Sequence, residues 1–202
     1  MPDGQKRPSF IEAARRTQLI ESATETIATL GYGQASLAQI AKQAGISKSV
    51  ITYYFSSKEE LLEQVVREIY TDAARFIGPR IAAQPTARLW LQAYIEAHVE
   101  YISTHLLQMM AIMEIAINVR AKDGKMRYGA ATEKPVLTAL ESHLHKGQQE
   151  GDFRAFDPHV MAVAIRRTID GLPPLFIADP TLDAKVYGQE LVTLFDRATR
   201  KE

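Results

Sequence analysis

Two short helical patterns separated by one glycine constrain this chain more than any other feature. They lie in Ser36 to Leu62, S-L-A-Q-I-A-K-Q-A-G-I-S-K-S-V-I-T-Y-Y-F-S-S-K-E-E-L-L. Ser36 and Gln39 stand at capping-box spacing. Leu37, Ile40, Ala41 and Ala44 follow at i, i+3, i+4 and i+7, one apolar face of a short helix. Gly45 suits the left-handed conformation that ends a helix, with Ile46 plugging the corner. Ser47 can cap the next helix, on which Ile51 and Phe55 lie four apart and face inward. Lys48, Ser49, Thr52 and Tyr53 are then left on the outer face. Ser57 and Glu60, again at capping-box spacing, open a third helix.

Helix, glycine turn and polar second helix make the helix-turn-helix pattern, whose second helix enters the major groove. The same pattern also describes a small helical hairpin of an ordinary globular protein.

The runs I-A-K-Q-A-G-I-S-K-S and Y-Y-F-S-S-K-E-E-L-L, preceded by L-G-Y-G, resemble the DNA-binding domain of the tetracycline-repressor (TetR) family. The resemblance covers about residues 14 to 66, a quarter of the chain. On the outer face of the second helix, Lys48, Ser49 and Thr52 are expected to meet base edges and Val50 a thymine methyl. Ser47 joins them on the DNA-facing side, while the resemblance implies that Ser36, Tyr53, Tyr54 and Lys58 hold phosphates. The family often has glycine where Ser49 stands and tyrosine where Thr52 stands. The resemblance therefore carries the fold but not the operator sequence.

At 202 residues the chain can form a small head and a larger body. Its net charge is zero, so any basic footprint must come from distribution. Up to Lys58 the cations Lys6, Arg7, Arg15, Arg16, Lys42, Lys48 and Lys58 outnumber Asp3, Glu12, Glu21 and Glu25, which makes the head modestly positive. The absence of cysteine excludes disulfides, thiol catalysis and cysteine–zinc sites. The polar N-terminus lacks the apolar core of a signal peptide, and Leu106 to Val119 is too short to span a bilayer. A cytoplasmic protein with no membrane contact is the expectation.

The periodicities predict an all-α chain of about nine helices. Residues 9–56 form a helix-turn-helix head, and 57–202 a ligand-binding and dimerisation body. Met1 to Pro8 is a polar arm. A first helix, from about Ser9 to Leu30, braces the head with Ile20, Ala23, Ile27 and Leu30. A fourth, from Ser57 to about Ile77, carries Leu62, Val65, Val66, Ile69, Ala73 and Phe76 and links head to body. Gly78-Pro79 ends or kinks it. Further helices are expected over 86–105, 106–119, about 127–149, 157–172 and 183–200. Pro135 kinks or delays the third of these five, and Pro173-Pro174 ends the fourth.

On the 86–105 helix, Trp90, Tyr94, His98, Tyr101 and His105 share one face. With Met109, Met113 and Phe153 they could line a pocket for a partly apolar or aromatic effector. They could equally be ordinary core. His98 and His105 are about 10.5 Å apart along the helix, too far to ligate one metal, and His143 and His145 point to different faces. Neither a metal nor a cofactor is expected. Glu114, one turn from Asn118 in an apolar helix, either finds a partner or faces solvent. No nucleophile–base pair, phosphate loop or compelling carboxylate pair stands out, so an enzyme is not expected.

The segment Glu150 to Pro180 is similar to choline/betaine-type repressors of the same family. That extends the resemblance to the body without carrying over choline as ligand. The family implies a homodimer built from about 157–172 and 183–200, reading a palindromic double-stranded operator. Val163, Ala164, Gly171, Gly188, Leu191 and Phe195 would suit that interface or internal packing alike. A regulator released from DNA by a small effector is the leading reading. A helical enzyme or ligand-binding protein that retains a helix-turn-helix-like head, or an effector-independent DNA-binding protein, remains the alternative.

Overall fold

A computed structural model describes residues 10–128 and 130–201, so the expected arm at Met1 to Pro8 lies outside the described residues. Among the described residues ten helices follow one another: α1 (Phe10–Leu30), α2 (Leu37–Gln43), α3 (Lys48–Tyr54), α4 (Lys58–Ala82), α5 (Ala87–Thr104), α6 (Leu106–Asn118), α7 (Ala130–Glu150), α8 (Pro158–Asp170), α9 (Leu172–Ala178) and α10 (Ala184–Thr199). Among the described residues no strand forms; the pairs Arg120–Met126 and Phe153–Arg200 make isolated bridges only.

The starts of the helices follow from their capping residues. Ser36, Ser57 and Thr86 accept from the backbone N–H groups of Gln39, Glu60 and Leu89. Asp157 takes two such bonds, with Pro158 in the first turn of α8, where a missing N–H costs nothing. Ser47 departs from expectation. It occupies the cap position of α3 but makes no capping bond, and its hydroxyl pairs with that of Ser49 at 2.8 Å.

Three boundaries differ from the sequence reading because proline acts by position. α4 runs past Gly78-Pro79 to Ala82. Near its end Arg80 donates to the Phe76 carbonyl at 2.5 Å and stacks over the Phe76 ring. α7 begins at Ala130, after Arg127 has donated its backbone N–H to Val119 in the preceding loop, and it tolerates Pro135 near its start. Pro173 and Pro174 do not end α8, which closes at Gly171. They open the short α9, the one helix beyond the nine expected.

Two large apolar cores result. One joins Leu19, Ala23 and Ile27 of α1, Ile40, Ile51 and Phe55 of the helix-turn-helix, and Leu61, Leu62, Val65, Val66 and Ile69 of α4 with Ala111 and Ile115 of α6 and Val119 just beyond it. The second gathers Leu91, Ile95 and Ile102 of α5 with Leu140 and Leu144 of α7, Ile165 and Ile169 of α8, and Phe195 of α10. A smaller cluster of Ile77, Ala97 and Tyr101 ties α4 to α5. Helix α6 thus follows α5 in sequence yet buries its apolar side in the head.

Candidate nucleic-acid interface and the body interior

α3 is seated by its apolar side. Ile51 and Phe55 are wholly buried, and Arg16 of α1 holds the helix end by donating to the Tyr54 carbonyl at 2.8 Å and lying 4.5 Å over the Phe55 ring. Gly45, at φ +66°, allows the turn to close through Ile46 N–H to the Ala41 carbonyl, 2.9 Å. The opposite face presents Ser47, Lys48, Ser49, Thr52 and Tyr53 to solvent, with Ser36 exposed beside it. Val50 is half-buried. Tyr53 is 75% exposed and meets Tyr54 edge-on at 5.0 Å. Lys48 has no acidic partner among the described residues, so its charge is available. The Thr52 hydroxyl is used within the helix, donating to the Lys48 and Ser49 carbonyls.

Lys58 is the most constrained of the predicted contacts. Its ammonium donates to the Tyr32 carbonyl at 2.7 Å and lies 4.0 Å over the Tyr32 ring, and burial lowers its pKa. Glu114 of α6 takes the other side of that residue, accepting the Tyr32 N–H at 2.9 Å. The carboxylate thus has its partner, in the α1–α2 loop. One residue of the head is gripped by α4 and α6 together. Arg16 and Tyr32 were not singled out in the sequence. A cation on α1 carries no local sign of the aromatic ring it will cover.

In the body the aromatic face of α5 divides into two groups. Tyr101 stacks on His105 at 4.1 Å, beside Phe76, and its hydroxyl lies 3.2 Å from Asp72 of α4. Asp72 also approaches His105 Nε2 at 3.6 Å. Trp90 lies between His143 of α7 at 3.9 Å and Tyr94 at 5.1 Å, and Tyr94 meets His98 at 4.1 Å. Tyr94 and Tyr101 are buried. Met109 packs partly against all three apolar clusters, whereas Met113 is half-buried on α6.

Burial, then the nearby Arg166 guanidinium, pull the His98 imidazole down to about pKa 4. Arg166 itself pairs with Asp170 one turn along α8 at 2.7 Å. Arg167 pairs with Glu133 of α7. The A-I-R-R-T-I-D run held this arginine–aspartate spacing in plain view, but its inward direction is set by the packing of α8.

Among the described residues, three clefts stand out elsewhere on the body. The largest, about 760 Å³, is bordered by Arg88, Phe153, Asp196 and Arg197. One of about 520 Å³ sits over Gly188 between α5 and α10, and one of about 370 Å³ runs between α6 and α9. Of the predicted ligand contacts only Phe153 borders any of the three; Trp90, Tyr94, His98, Tyr101, Met109 and Met113 do not. Among the described residues no group of three or more His, Asp or Glu side chains is placed to hold a metal ion, and no helix is long and apolar enough to cross a membrane.

Residues 19–65, the helix-turn-helix with its flanking helices, match the model of bacterial regulatory proteins of the tetR family. Over these residues the chain is a TetR-type DNA-binding head, similar to proteins named as transcriptional regulators. It is 28% identical over 138 residues to the HTH-type transcriptional regulator BetI of Escherichia coli O17:K52:H18 (strain UMN026), covering 67% of this chain and 71% of that one. It is 29% identical over 171 residues to the fatty acid metabolism regulator protein of Bacillus subtilis strain 168, covering 82% of each chain. The whole TetR-like architecture recurs in AibR, solved with isovaleryl coenzyme A and operator DNA. There the TM-score is 0.78 at 18% identity, over 89% of this chain and 97% of the other, a likeness of fold alone.

Proposed function

We propose that this chain is a TetR-family transcriptional regulator, a repressor that binds a palindromic operator as a homodimer and is released by a small effector held in its body. Residues 9–56 serve as the reading head, and 57–202 as the effector-binding and dimerising body. The observation that carries the reading is the outer face of α3. Lys48, Ser49, Thr52 and Tyr53 are exposed together on a helix anchored by fully buried Ile51 and Phe55. In this reading Lys48, Ser49 and Thr52 meet base edges, Val50 a thymine methyl, and Ser36, Ser47, Tyr53 and Tyr54 the backbone. Lys58 reaches phosphate only by loosening its bond to Tyr32.

With one lysine and no arginine on α3, affinity must be gathered from two heads, which favours a dimer on a two-fold site. Exposed apolar residues on α8 and α10, Val160, Val186 and Leu194, support these helices as the dimer face. Gly188, Leu191 and Phe195 do not serve it, because each is buried; a side chain at Gly188 would touch Val99 of α5, and Leu191 and Phe195 belong to the body core.

The isovaleryl coenzyme A bound by AibR supports a small effector, and α6 offers a route from the body to the head. An effector that favours one position of α6 and α4 moves Tyr32, and with it the head, in proportion to its preference between the two arrangements.

Selection of binding sites from random DNA tests the reading, with Lys48→Ala and Tyr53→Ala assayed beside the parent chain. An enriched palindrome is expected, bound roughly tenfold or more weakly by each variant. A folded protein that enriches nothing at low salt would refute it.

A further inference from the structure

The connection between α6 and α7 is a built turn. Ala121 donates its N–H to the Lys125 carbonyl at 2.8 Å and Arg127 donates to that of Val119 at 3.0 Å, while Arg120 pairs with Met126. Residues 119–128 thus form a small hairpin, and both of its feet stand in the head. Val119 is buried in the head core, Tyr128 packs against that core, and Arg127 pairs with Glu63 of α4.

Residues 120–127 are all exposed. They carry Arg120, Lys122, Lys125 and Arg127 against one acid, Asp123, in a chain whose net charge is zero. Glu63 neutralises Arg127, and Asp123 lies 3.4 Å from Lys125. Arg120 and Lys122 have no carboxylate partner among the described residues. A hairpin rooted at both ends holds such cations in place, so little backbone freedom is lost when they meet a partner.

The partner follows from where the hairpin stands. Asn118, the last residue of α6, sets its amide 3.4 Å from Glu114 Oε2, the oxygen that accepts the Tyr32 N–H at 2.9 Å. Lys58, an expected phosphate contact, donates to the carbonyl of the same Tyr32 at 2.7 Å. The hairpin therefore leaves α6 beside the expected row of backbone contacts that holds Lys58 and Ser36. A duplex is a dense line of negative charge, and α3 meets it with a single lysine.

We propose that the α6–α7 hairpin is a second DNA contact, in which Arg120 and Lys122 hold phosphates of the duplex seated on α3. It adds affinity and register without reading sequence. The inference rests on the reading of the head as a DNA-binding regulator, and it extends that interface beyond the helix-turn-helix.

The chain has no cysteine, so Lys122→Cys supplies a single thiol for an iron chelate that cuts nearby DNA backbone. On the palindrome enriched by selection, cuts are expected at two symmetric positions, one in each half-site. The double variant Arg120→Ala, Lys122→Ala is titrated by fluorescence anisotropy across a range of salt, against that palindrome and a mixed-sequence duplex of equal length. It should keep the parent's melting temperature and bind both duplexes about tenfold more weakly, with a salt slope lower by about 2 per protomer.

A chelate that cuts nowhere on bound DNA, or an unchanged salt slope, overturns the contact and leaves the head as the reader. A loss confined to the palindrome makes the two cations base readers and overturns their assignment to the backbone. Failure of the parent chain to bind either duplex at low salt overturns the regulator reading itself, and this contact with it.

Discussion

His98 makes the interior of the body sensitive to acid. Its imidazole is neutral in the folded chain down to about pH 4, against an ordinary value of 6.5. Between those values the unfolded chain binds the extra proton, so stability falls as pH drops through that window. The loss should be about 2 kcal/mol between pH 7 and pH 5. Urea denaturation at the two pH values would show it, and His98→Leu should remove most of the difference. An unchanged slope in the variant would place the acid sensitivity elsewhere. Tyr94, one turn away, sets its buried hydroxyl against the Arg166 guanidinium of α8, whereas Tyr101 donates to Asp72 and the Ile69 carbonyl of α4. Two tyrosines on one helical face thus find partners of opposite charge, and only the packing of α4 and α8 distinguishes them.

Helix α7 depends on one residue with no side chain. The chain turns at Gly151, φ +83°, and the N–H groups of Asp152 and Phe153 return to the Gly147 carbonyl. That lays the Phe153 ring against the α-carbon of Gly147. A methyl group there would come within 2.4 Å of the ring and 2.7 Å of Ala87 Cβ. Gly147→Ala should therefore lower stability by about 2 kcal/mol, although alanine is the better helix former. Thermal and urea unfolding would measure it, and a gain in stability would mean that Phe153 moves aside freely. The same closeness explains why Phe153 is core on one side while bordering the largest cleft on the other.

The molecule as a whole is joined through α6. Its Ala111 and Ile115, with Val119 at its end, fill the head core, its Glu114 holds Tyr32, and its first residues follow directly from α5. Movement within the body therefore has a second route to the head beside α4. In the proposed dimer, assembly rests on α10, which carries apolar residues on its outer side as well as its inner one. Leu191 and Phe195 face inward, while Val186 and Leu194 stand 54% and 57% exposed. Leu194→Arg should leave the protomer folded, convert the dimer to monomer in sedimentation, and weaken operator binding. A dimer that survives the substitution would move the interface off this face.

The helix-turn-helix was legible in the sequence because its determinants are local. Ser36, Gly45 and the spacing of Ile51 and Phe55 act over one or two turns, and the structure keeps them all. The all-helical class was legible for the same reason, as repeated 3.6-residue periodicity. Prolines misled where their effect depends on the neighbouring turn: Pro79 lies within α4, and Pro173-Pro174 begin α9 rather than end α8. What the tertiary structure alone decided was the second side of each helix. Nothing local tells that Gly188 and Leu191 face α5 while Leu194 faces outward, that α6 packs in the head, or that Arg166 turns toward Tyr94. Those outcomes depend on contacts between residues tens of positions apart, and a periodic pattern names an apolar face without naming what covers it.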